Sequence, residues 1–173
     1  SIPAADSRRK VFAHKSGMRI VDMVREDQKI SQVLTKKAFE NAIKVNAAIG
    51  GSTNFVIHMI AIAGRIGVDL TLADFDRCSM GIPLLTNVQP SGDYFIEDLY
   101  YAGGLPAVMK EMESYLHSDL ITVSGKSVHD NIASAKSYNA NVIATLEKPF
   151  KTETGLAVLR GNLSEGGCVI KPS

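Results

Sequence analysis

The spacing of apolar residues predicts a chain built mostly from helices. Between Thr35 and Gly50, apolar side chains recur three and four positions apart, a spacing typical of an amphipathic helix. Threonine is a favoured N-cap and glycine is favoured just past a helix end, so both ends of this helix are marked. The same signals predict further helices from Asp6 or Ser7 to about Val24, over 72–79 behind the cap Thr71, over 94–102, over 106–116, and from Ser127 to near Tyr138.

Residues 55–63 differ from the other predicted helices because they are apolar almost without interruption. Their apolar residues cover every face of a helix, so we expect that helix to be buried at the centre of the domain. The glycine pair at 50–51 breaks the preceding helix, and Ser52, Thr53 and Asn54 are strong N-cap residues. A buried helix that begins at such a turn would direct free backbone N–H groups and the positive end of its dipole at one spot. That spot favours an anion, either a carboxylate or a phosphate.

Short β-branched segments predict strands, mostly towards the C-terminus. Residues 121–124 precede a turn and the helix capped by Ser127, an order that suggests a layer of strand and helix. Beyond residue 140, turn residues rather than helices separate the strand-like segments. The predicted strands lie at 142–143, 156–159 and 168–170, with turns at 148–150, 161–162 and 165–167, and residues 84–88 are predicted as a strand or extended segment before a loop at 89–93.

These patterns give the chain an α/β fold class and divide it into two parts. We expect residues 1–147 to be the helix-rich later part of an α/β domain. Residues 148–173 are predicted to hold a linker and the opening strands of a second, β-rich, barrel-like domain. The chain is therefore expected to be a piece of a larger protein.

Composition and charge argue against several classes of function. The sequence has 19 Lys and Arg against 18 Asp and Glu, so its net charge of +1 favours neither nucleic acid nor an anionic membrane as a partner. The most apolar stretch, 50–63, is too short and too interrupted for a membrane span. Residues 1–9 lack the apolar core of a secretion signal. We expect a cytoplasmic protein.

The two cysteines, Cys78 and Cys168, lie far apart in the sequence. Neither has a partner at the short spacing that a zinc motif or a disulfide framework requires. Free cysteines are usually buried, so we interpret both as small apolar core residues rather than as ligands or nucleophiles.

Several short motifs, in a fixed order along the chain, carry a resemblance to a known family. They are residues 2–9 (Ile-Pro-Ala-Ala-Asp-Ser-Arg-Arg), 46–54 (Asn-Ala-Ala-Ile-Gly-Gly-Ser-Thr-Asn), 89–94, 97–99, 102–107, 122–126 and 155–162. On these motifs the sequence resembles the dihydroxy-acid dehydratase and phosphogluconate dehydratase family over essentially its whole length. Residues 81–85, Gly-Ile-Pro-Leu-Leu, are most similar to the branch that acts on sugar acids.

The resemblance implies a hydro-lyase that converts a 2,3-dihydroxy carboxylic acid to a 2-keto acid. In the family, an iron–sulfur cluster acts as Lewis acid on the leaving C3 hydroxyl, Mg²⁺ holds the substrate carboxylate and C2 oxygen, and a base removes the C2 proton. The cluster cysteines, the metal ligands and the base lie upstream or downstream of the part resembled here. We therefore expect no catalytic residue and no metal ligand within this sequence, and an inactive chain in isolation. The whole enzyme is expected to be a homo-oligomer that acts on a small molecule.

The turn at residues 50–54 is the best candidate for a binding site. Gly51, Ser52, Thr53 and Asn54 combine a close backbone approach with hydrogen-bond donors, and we predict that they contact the substrate. The alternative is a helix start that caps itself through Ser52 or Thr53 and contacts no ligand. The resemblance, which places this turn near the cofactor cavity, supports binding, and both interpretations stay open.

Other polar residues have simpler explanations. His58 has no carboxylate or cysteine nearby in sequence, so a hydrogen-bonded core histidine is favoured over a catalytic one. Asp6, Arg8 and Arg9 could bind a carboxylate, but pairing with each other as an anchor is the favoured interpretation. Residues 125–127 lack the earlier glycine of a phosphate-binding loop, which excludes that motif. Likewise, turn chemistry alone accounts for the loop at 90–93, although such a loop could also cover a ligand.

Two rival functions come from different classes. The chain could be a free-standing helical module that holds a small anion at residues 50–54 and performs no chemistry. It could also be a purely structural interaction domain, in which Ser52 and Asn54 affect stability but no ligand response. Unpaired strands after Phe150 favour a missing domain over either rival, because open β edges are poorly tolerated.

Overall fold

The computed structural model describes residues 2–171 and confirms the α/β fold class. Helices make up most of the regular structure, and a two-stranded antiparallel sheet lies at the C-terminal end. The elements in chain order are α1 (Arg8–Arg25), α2 (Ile30–Val33), α3 (Lys36–Ala48), α4 (Asn54–Arg65), α5 (Leu72–Ser79), α6 (Ile96–Tyr101), α7 (Gly104–Glu111), a 3₁₀ turn (Glu113–Tyr115), α8 (Val128–Ile132), β1 (Ala157–Gly161) and β2 (Ser164–Ile170).

The end signals of α3 and α5 work as the sequence predicts. The Thr35 hydroxyl accepts a hydrogen bond from the Ala38 amide at 3.3 Å, and Gly50 follows the end of α3 with a φ of +57°. At the start of α5, the Asp74 carboxylate accepts a bond from the backbone N–H of Thr71 at 2.9 Å. These bonds satisfy donors that a helix start leaves unpaired, so both helices begin where the caps stand.

Helix α3 lies at the centre of the fold because it contributes to both apolar clusters. Its Val45, Ala47 and Ala48 pack in the first cluster, and its Phe39 and Ile43 pack in the second. The first cluster also takes residues from the 82–88 segment, α6, α7 and 142–143. The second takes residues from α4, α5 and the C-terminal hairpin. Seven of the residues of α3 are buried, more than in any other described helix.

Ion pairs join the polar edges of α3 and α5. The Lys36 ammonium lies 2.9 Å from an Asp74 carboxylate oxygen, and the Arg77 guanidinium lies 3.0 Å from both Asp74 and Glu40. Glu40 also contacts the Nε2 atom of His117 at 2.9 Å. Partial burial of Asp74 opposes its ionisation, but the hydrogen bonds from Lys36, Thr71 and Arg77 outweigh it and hold the pKa of Asp74 well below its usual range.

Helix α4 forms where the sequence predicts it, but the prediction that it is buried is wrong. Only Val56 and Ala63 are buried, whereas Ile57 is 68% exposed and Ile62 is 42% exposed. The described residues pack against one side of α4 only. The apolar composition of a helix shows that its surface favours burial, but not whether other elements cover that surface. His58 lies on the exposed side, so its interpretation as a core histidine is also wrong.

The strand predicted at 121–124 does not form. Ile121 makes a single antiparallel bridge with Ser127, and the segment folds back on itself through a bond from the Thr122 amide to the Lys126 carbonyl at 2.9 Å. Because the segment makes its hydrogen bonds within its own turn, it does not form a ladder with a partner strand. The Ser127 hydroxyl caps α8 by accepting from the Asp130 amide, as predicted, but the helix ends at Ile132 rather than near Tyr138.

The C-terminal strands pair as a hairpin. β1 and β2 run antiparallel, with Ala157 opposite Ile170 and Leu159 opposite Cys168. The turn predicted at 161–162 is present one residue later, at 162–163, because Gly161 still belongs to β1. The turn predicted at 165–167 is wrong, because those residues lie inside β2. The two glycines there permit an irregular strand, and Gly167 has a φ of +87°. The earlier segment 84–88 is extended and forms only isolated bridges. The strand predicted at 142–143 is wrong, because Val142 lies in a turn and Ile143 makes a single bridge with Thr86.

The hairpin packs onto the helical core. Val158 and Val169 point inward and contact the second cluster, whereas Leu159, Cys168 and Ile170 point outward. The division into domains at residue 148 stays a prediction. Among the described helices none is long and apolar enough to span a membrane.

Candidate functional site

The predicted turn after α3 is built on two glycines with different roles. Gly50 adopts a left-handed φ of +57°, which favours glycine. Gly51 has its α-carbon against the side chain of Asn46, and a Cβ added there would lie 2.0 Å from the Asn46 Oδ1 atom. A bond from the Gly51 amide to the Asn46 carbonyl at 2.9 Å closes the turn. The chain therefore reverses tightly between α3 and α4.

Most donors at the start of α4 are satisfied by the turn itself. The Ser52 hydroxyl accepts from the Asn54 amide at 3.1 Å, and the Phe55 and Val56 amides donate to the Ser52 and Thr53 carbonyls. Capping by Ser52 is thus confirmed, whereas Thr53 makes no side-chain cap bond. Within residues 2–171, the amides of Ser52 and Thr53 have no acceptor. Two backbone donors, fewer than the sequence suggested, remain for a ligand.

The residues that carry these two donors line a cleft of about 410 Å³. Its walls include Gly51, Ser52 and Thr53 on one side and Gln89 and Pro90, joined by a cis peptide bond, on the other. Asn54, the fourth predicted site residue, does not line the cleft. Of the loop at 90–93, only Pro90 reaches it. Thus the structure brings three of the four predicted residues together around one space.

Of the described residues that line the cleft, Lys171 alone carries a charge. It is half-buried, and burial lowers the pKa of its ammonium group. Its positive charge adds to that of the helix start, so the cleft favours an anion. Sequence reasoning missed Lys171 because it is about 120 positions away from the turn and belongs to no motif there.

A backbone contact brings the C-terminal residues to the turn. The Gly155 amide donates to the Ala47 carbonyl at 3.1 Å, and a Cβ added at Gly155 would lie 2.4 Å from the Gly50 α-carbon. Two glycines facing each other let the two segments approach this closely. Gly155 opens the motif at 155–162, which was the sequence signal available for this contact.

The N-terminal charged residues form an anchor, as the favoured interpretation predicts. The Arg8 guanidinium forms a bidentate pair with the Asp6 carboxylate, and the Arg8 amide donates to the same carboxylate at 2.8 Å. The guanidinium also lies 5.1 Å from the ring centre of Tyr100, within the range of a cation–π contact. The pairing with Arg8 lowers the pKa of Asp6. Arg9 lies apart from this pair and lines a separate cavity beside α7.

The cysteines differ from each other. Cys78 is buried in the second apolar cluster, as predicted, and burial raises the pKa of its thiol. Cys168 is exposed, so its interpretation as a core residue is wrong: it lies on the outward side of β2, where alternate residues face away from the core. Nowhere in residues 2–171 do three or more His, Cys, Asp or Glu side chains come together as a metal site.

Comparisons with known proteins match the whole chain to one family. The N-terminal model of the dihydroxy-acid/6-phosphogluconate dehydratases matches residues 1–131, and the C-terminal model matches residues 141–173. The chain is 53% identical to an L-arabinonate dehydratase from Rhizobium leguminosarum bv. trifolii and 52% identical to an L-arabonate dehydratase from Azospirillum brasilense. It is 46% identical to a dihydroxy-acid dehydratase from Acetivibrio thermocellus.

Each of these alignments covers 100% of the chain but only 30% to 32% of the relative. The chain thus spans about 30% of the length of the L-arabinonate dehydratase that it matches. The two matched models, and alignments that cover the whole chain, agree with the order of motifs in the sequence. The chain belongs to the dihydroxy-acid/6-phosphogluconate dehydratase family.

Proposed function

We propose that the chain is part of a hydro-lyase that dehydrates a 2,3-dihydroxy carboxylic acid to a 2-keto acid, and that the acid is a sugar acid. The observation that carries this proposal is the identity of 52% to 53% with two proteins named as dehydratases of L-arabinonate or L-arabonate, against 46% with a dihydroxy-acid dehydratase. The Gly-Ile-Pro-Leu-Leu segment at 81–85 points to the same branch.

We propose that the iron–sulfur cluster and Mg²⁺ of the family reaction have their ligands in other parts of the enzyme. The residues present do not fit either group, since Cys78 is enclosed by apolar side chains and Cys168 lies alone on β2. Residues 2–171 also contain no cluster of His, Cys, Asp and Glu suited to a metal. On this proposal the 173-residue chain is inactive by itself.

For the chain's own residues, we propose that the cleft beside the 50–53 turn binds the anionic end of the substrate. Support comes from the free amides of Ser52 and Thr53, the start of α4 behind them, and the ammonium group of Lys171. Gly51 would let the ligand approach the backbone. Asn54 would act outside the cleft, through the hydrogen bond that its backbone N–H donates to the Ser52 hydroxyl.

The reaction is tested on the longest polypeptide that contains the chain, by measuring 2-keto acid formation from L-arabinonate and from a branched-chain 2,3-dihydroxy acid. We expect kcat/KM to be at least about tenfold higher for the sugar acid, equivalent to roughly 1.4 kcal/mol of discrimination. A preference for the branched-chain acid would contradict the sugar-acid assignment. Turnover of neither acid would contradict the hydro-lyase and favour the anion-binding module.

The role of the cleft is tested in the same polypeptide with Lys171→Met. Losing a charge-assisted bond to the substrate should raise KM by roughly 10- to 100-fold. Lys126→Met is the matched control, since Lys126 is exposed and lies outside the cleft. If both variants behave like the parent, the substrate does not bind beside the turn.

We propose, further, a homo-oligomer in the cytoplasm, in which α1 contributes to the subunit contact. Support comes from the surface of α1, where Met23 is the single buried residue. Its large apolar side chains at Val11, Phe12, Met18, Ile20, Val21 and Val24 are 49% to 76% exposed. Sedimentation equilibrium of the whole polypeptide checks this, and Val21→Lys should lower the mass if α1 lies in the contact.

A further inference from the structure

Helix α3 carries two asparagines that are equally buried but differently satisfied. Asn41 is 6% exposed and Asn46 is 7% exposed. The Asn41 carboxamide donates to the His117 carbonyl at 3.0 Å and accepts from the His117 amide at 2.8 Å. The Asn46 carboxamide makes no hydrogen bond to any residue in the described range 2–171. A largely buried carboxamide that no described residue satisfies is uncommon, so its surroundings need an explanation.

Asn46 lines a cavity of about 380 Å³. The cavity lies between α3, the first turn of α4, α7 and residues 120–122. No fully enclosed side-chain nitrogen or oxygen in the described residues lacks a partner, so the Asn46 carboxamide retains access to open space. Because Asn46 lines this cavity, we infer that the access is through it.

The lining of the cavity selects the chemistry of its occupant. Among the described residues that line it, all but Asn41, Asn46 and Thr122 are apolar, and none carries a charge. A sugar acid would lose its water there without gaining partners for its carboxylate and hydroxyls, so this is not a place for the substrate. Leu105 and Ile121 at the cavity are 39% and 43% exposed, so apolar surface continues beyond it. The fitting occupant is an apolar side chain on a polypeptide backbone.

The length of the relatives indicates where such a segment comes from. The chain spans 30% of the L-arabinonate dehydratase that it matches, which leaves most of a polypeptide of that size outside the 173 residues. We propose that a segment from that other part fills the cavity with an apolar side chain and hydrogen-bonds the Asn46 carboxamide through its backbone. This inference goes beyond the proposed reaction and does not depend on the substrate.

The test compares Asn46→Leu with the matched control Asn41→Leu, in the 173-residue chain and in a polypeptide extended to the length of the relatives. Asn41→Leu should lower the Tm of the 173-residue chain by roughly 4–8 °C, because the His117 amide and the His117 carbonyl both lose the hydrogen bond that Asn41 makes with them. Asn46→Leu should leave that Tm unchanged or raise it. In the longer polypeptide, Asn46→Leu should lower the Tm about as much as Asn41→Leu does.

A second variant, Ala42→Phe, fills the cavity from the α3 side. It should raise the Tm of the 173-residue chain and lower that of the longer polypeptide, because the occupant would be displaced. If both variants leave the longer polypeptide as stable as its parent, the cavity is open there and the proposal is overturned.

Two other results would also overturn it. If Asn46→Leu destabilises the 173-residue chain as Asn41→Leu does, Asn46 has a partner within the chain. If Ala42→Phe abolishes self-association of the 173-residue chain in sedimentation, the occupant is a second copy. Should the shorter chain show no cooperative transition, the three variants in the longer polypeptide decide the question alone.

Discussion

Helices α3 and α4 are neighbours of 13 and 12 residues, yet they are covered to very different degrees. α3 is packed on several sides and holds seven buried residues, whereas α4 holds two. By sequence α4 is the more apolar of the two. The comparison teaches that capping and periodicity, which are local, locate a helix, but burial depends on which other elements reach it.

The largest expected effect comes from truncating matched isoleucines on the two helices. Ile43 of α3 is 2% exposed and Ile57 of α4 is 68% exposed. Ile43→Ala should lower the free energy of unfolding by roughly 2–5 kcal/mol, because it leaves a cavity in the second cluster. Ile57→Ala should change it by less than about 0.5 kcal/mol. Urea denaturation of the 173-residue chain measures both, and equal losses would show that α4 is as well packed as α3.

A smaller effect is expected from the ion pairs that join α3 to α5. Asp74 has a lowered pKa in the folded chain, so it stabilises the fold above its unfolded pKa of about 4. That contribution decreases as the pH falls below about 4, where the unfolded chain takes up the proton first, and it is lost at the lower folded pKa. Asp74→Asn should remove about 1 kcal/mol at pH 7 and flatten the acid side of the stability profile.

Asp119→Asn is the control for this profile, because Asp119 is exposed and has no ion pair within the described part of the chain. Denaturant titrations between pH 7 and pH 3 separate the two variants. An acid slope that persists in Asp74→Asn would assign the pH dependence to other carboxylates.

The smallest effect is a stabilisation on the open side of α4. A Cβ added at Gly64 would meet nothing within 4 Å, and glycine is unfavourable inside a helix. Gly64→Ala should therefore raise the free energy of unfolding of the 173-residue chain by about 0.5–1 kcal/mol. Gly17→Ala in α1, where a Cβ also meets nothing, serves as the matched case. A loss of stability in Gly64→Ala would mean that this side of α4 is packed.

The sequence allowed much of the helical fold to be predicted because its signals are local. Thr35, Thr71 and Ser127 all stand at helix starts, and Gly50 stands at a helix end. The strand at 121–124 was predicted from β-branched composition, but a strand requires a partner, and a four-residue segment contains no information about one. The same reason explains why the burial of α4 was not predictable.

The candidate site was half predictable. The turn and its glycines could be read from residues 50–54, and three of the four named residues do line one cleft. Lys171 reaches that cleft, and Gly155 reaches Gly50 beside it, only through the folding of the C-terminal segment, across more than 100 positions that no local pattern spans. Likewise, only side-chain contacts distinguish Asn46 from Asn41, since both lie in one helix.

The meeting of Gly50 and Gly155 constrains how the gene can be divided. A cut between the regions matched by the two family models, after residue 131 and before residue 141, would separate Gly155 and Lys171 from α3. The Ala47 carbonyl would lose its hydrogen bond from the Gly155 amide and keep only the one from Gly50, and the cleft would lose Lys171 from its lining. Chimeras that exchange segments between relatives at that boundary should therefore carry both glycines from compatible parents. The two regions pack against each other at these glycines, so they are not interchangeable modules.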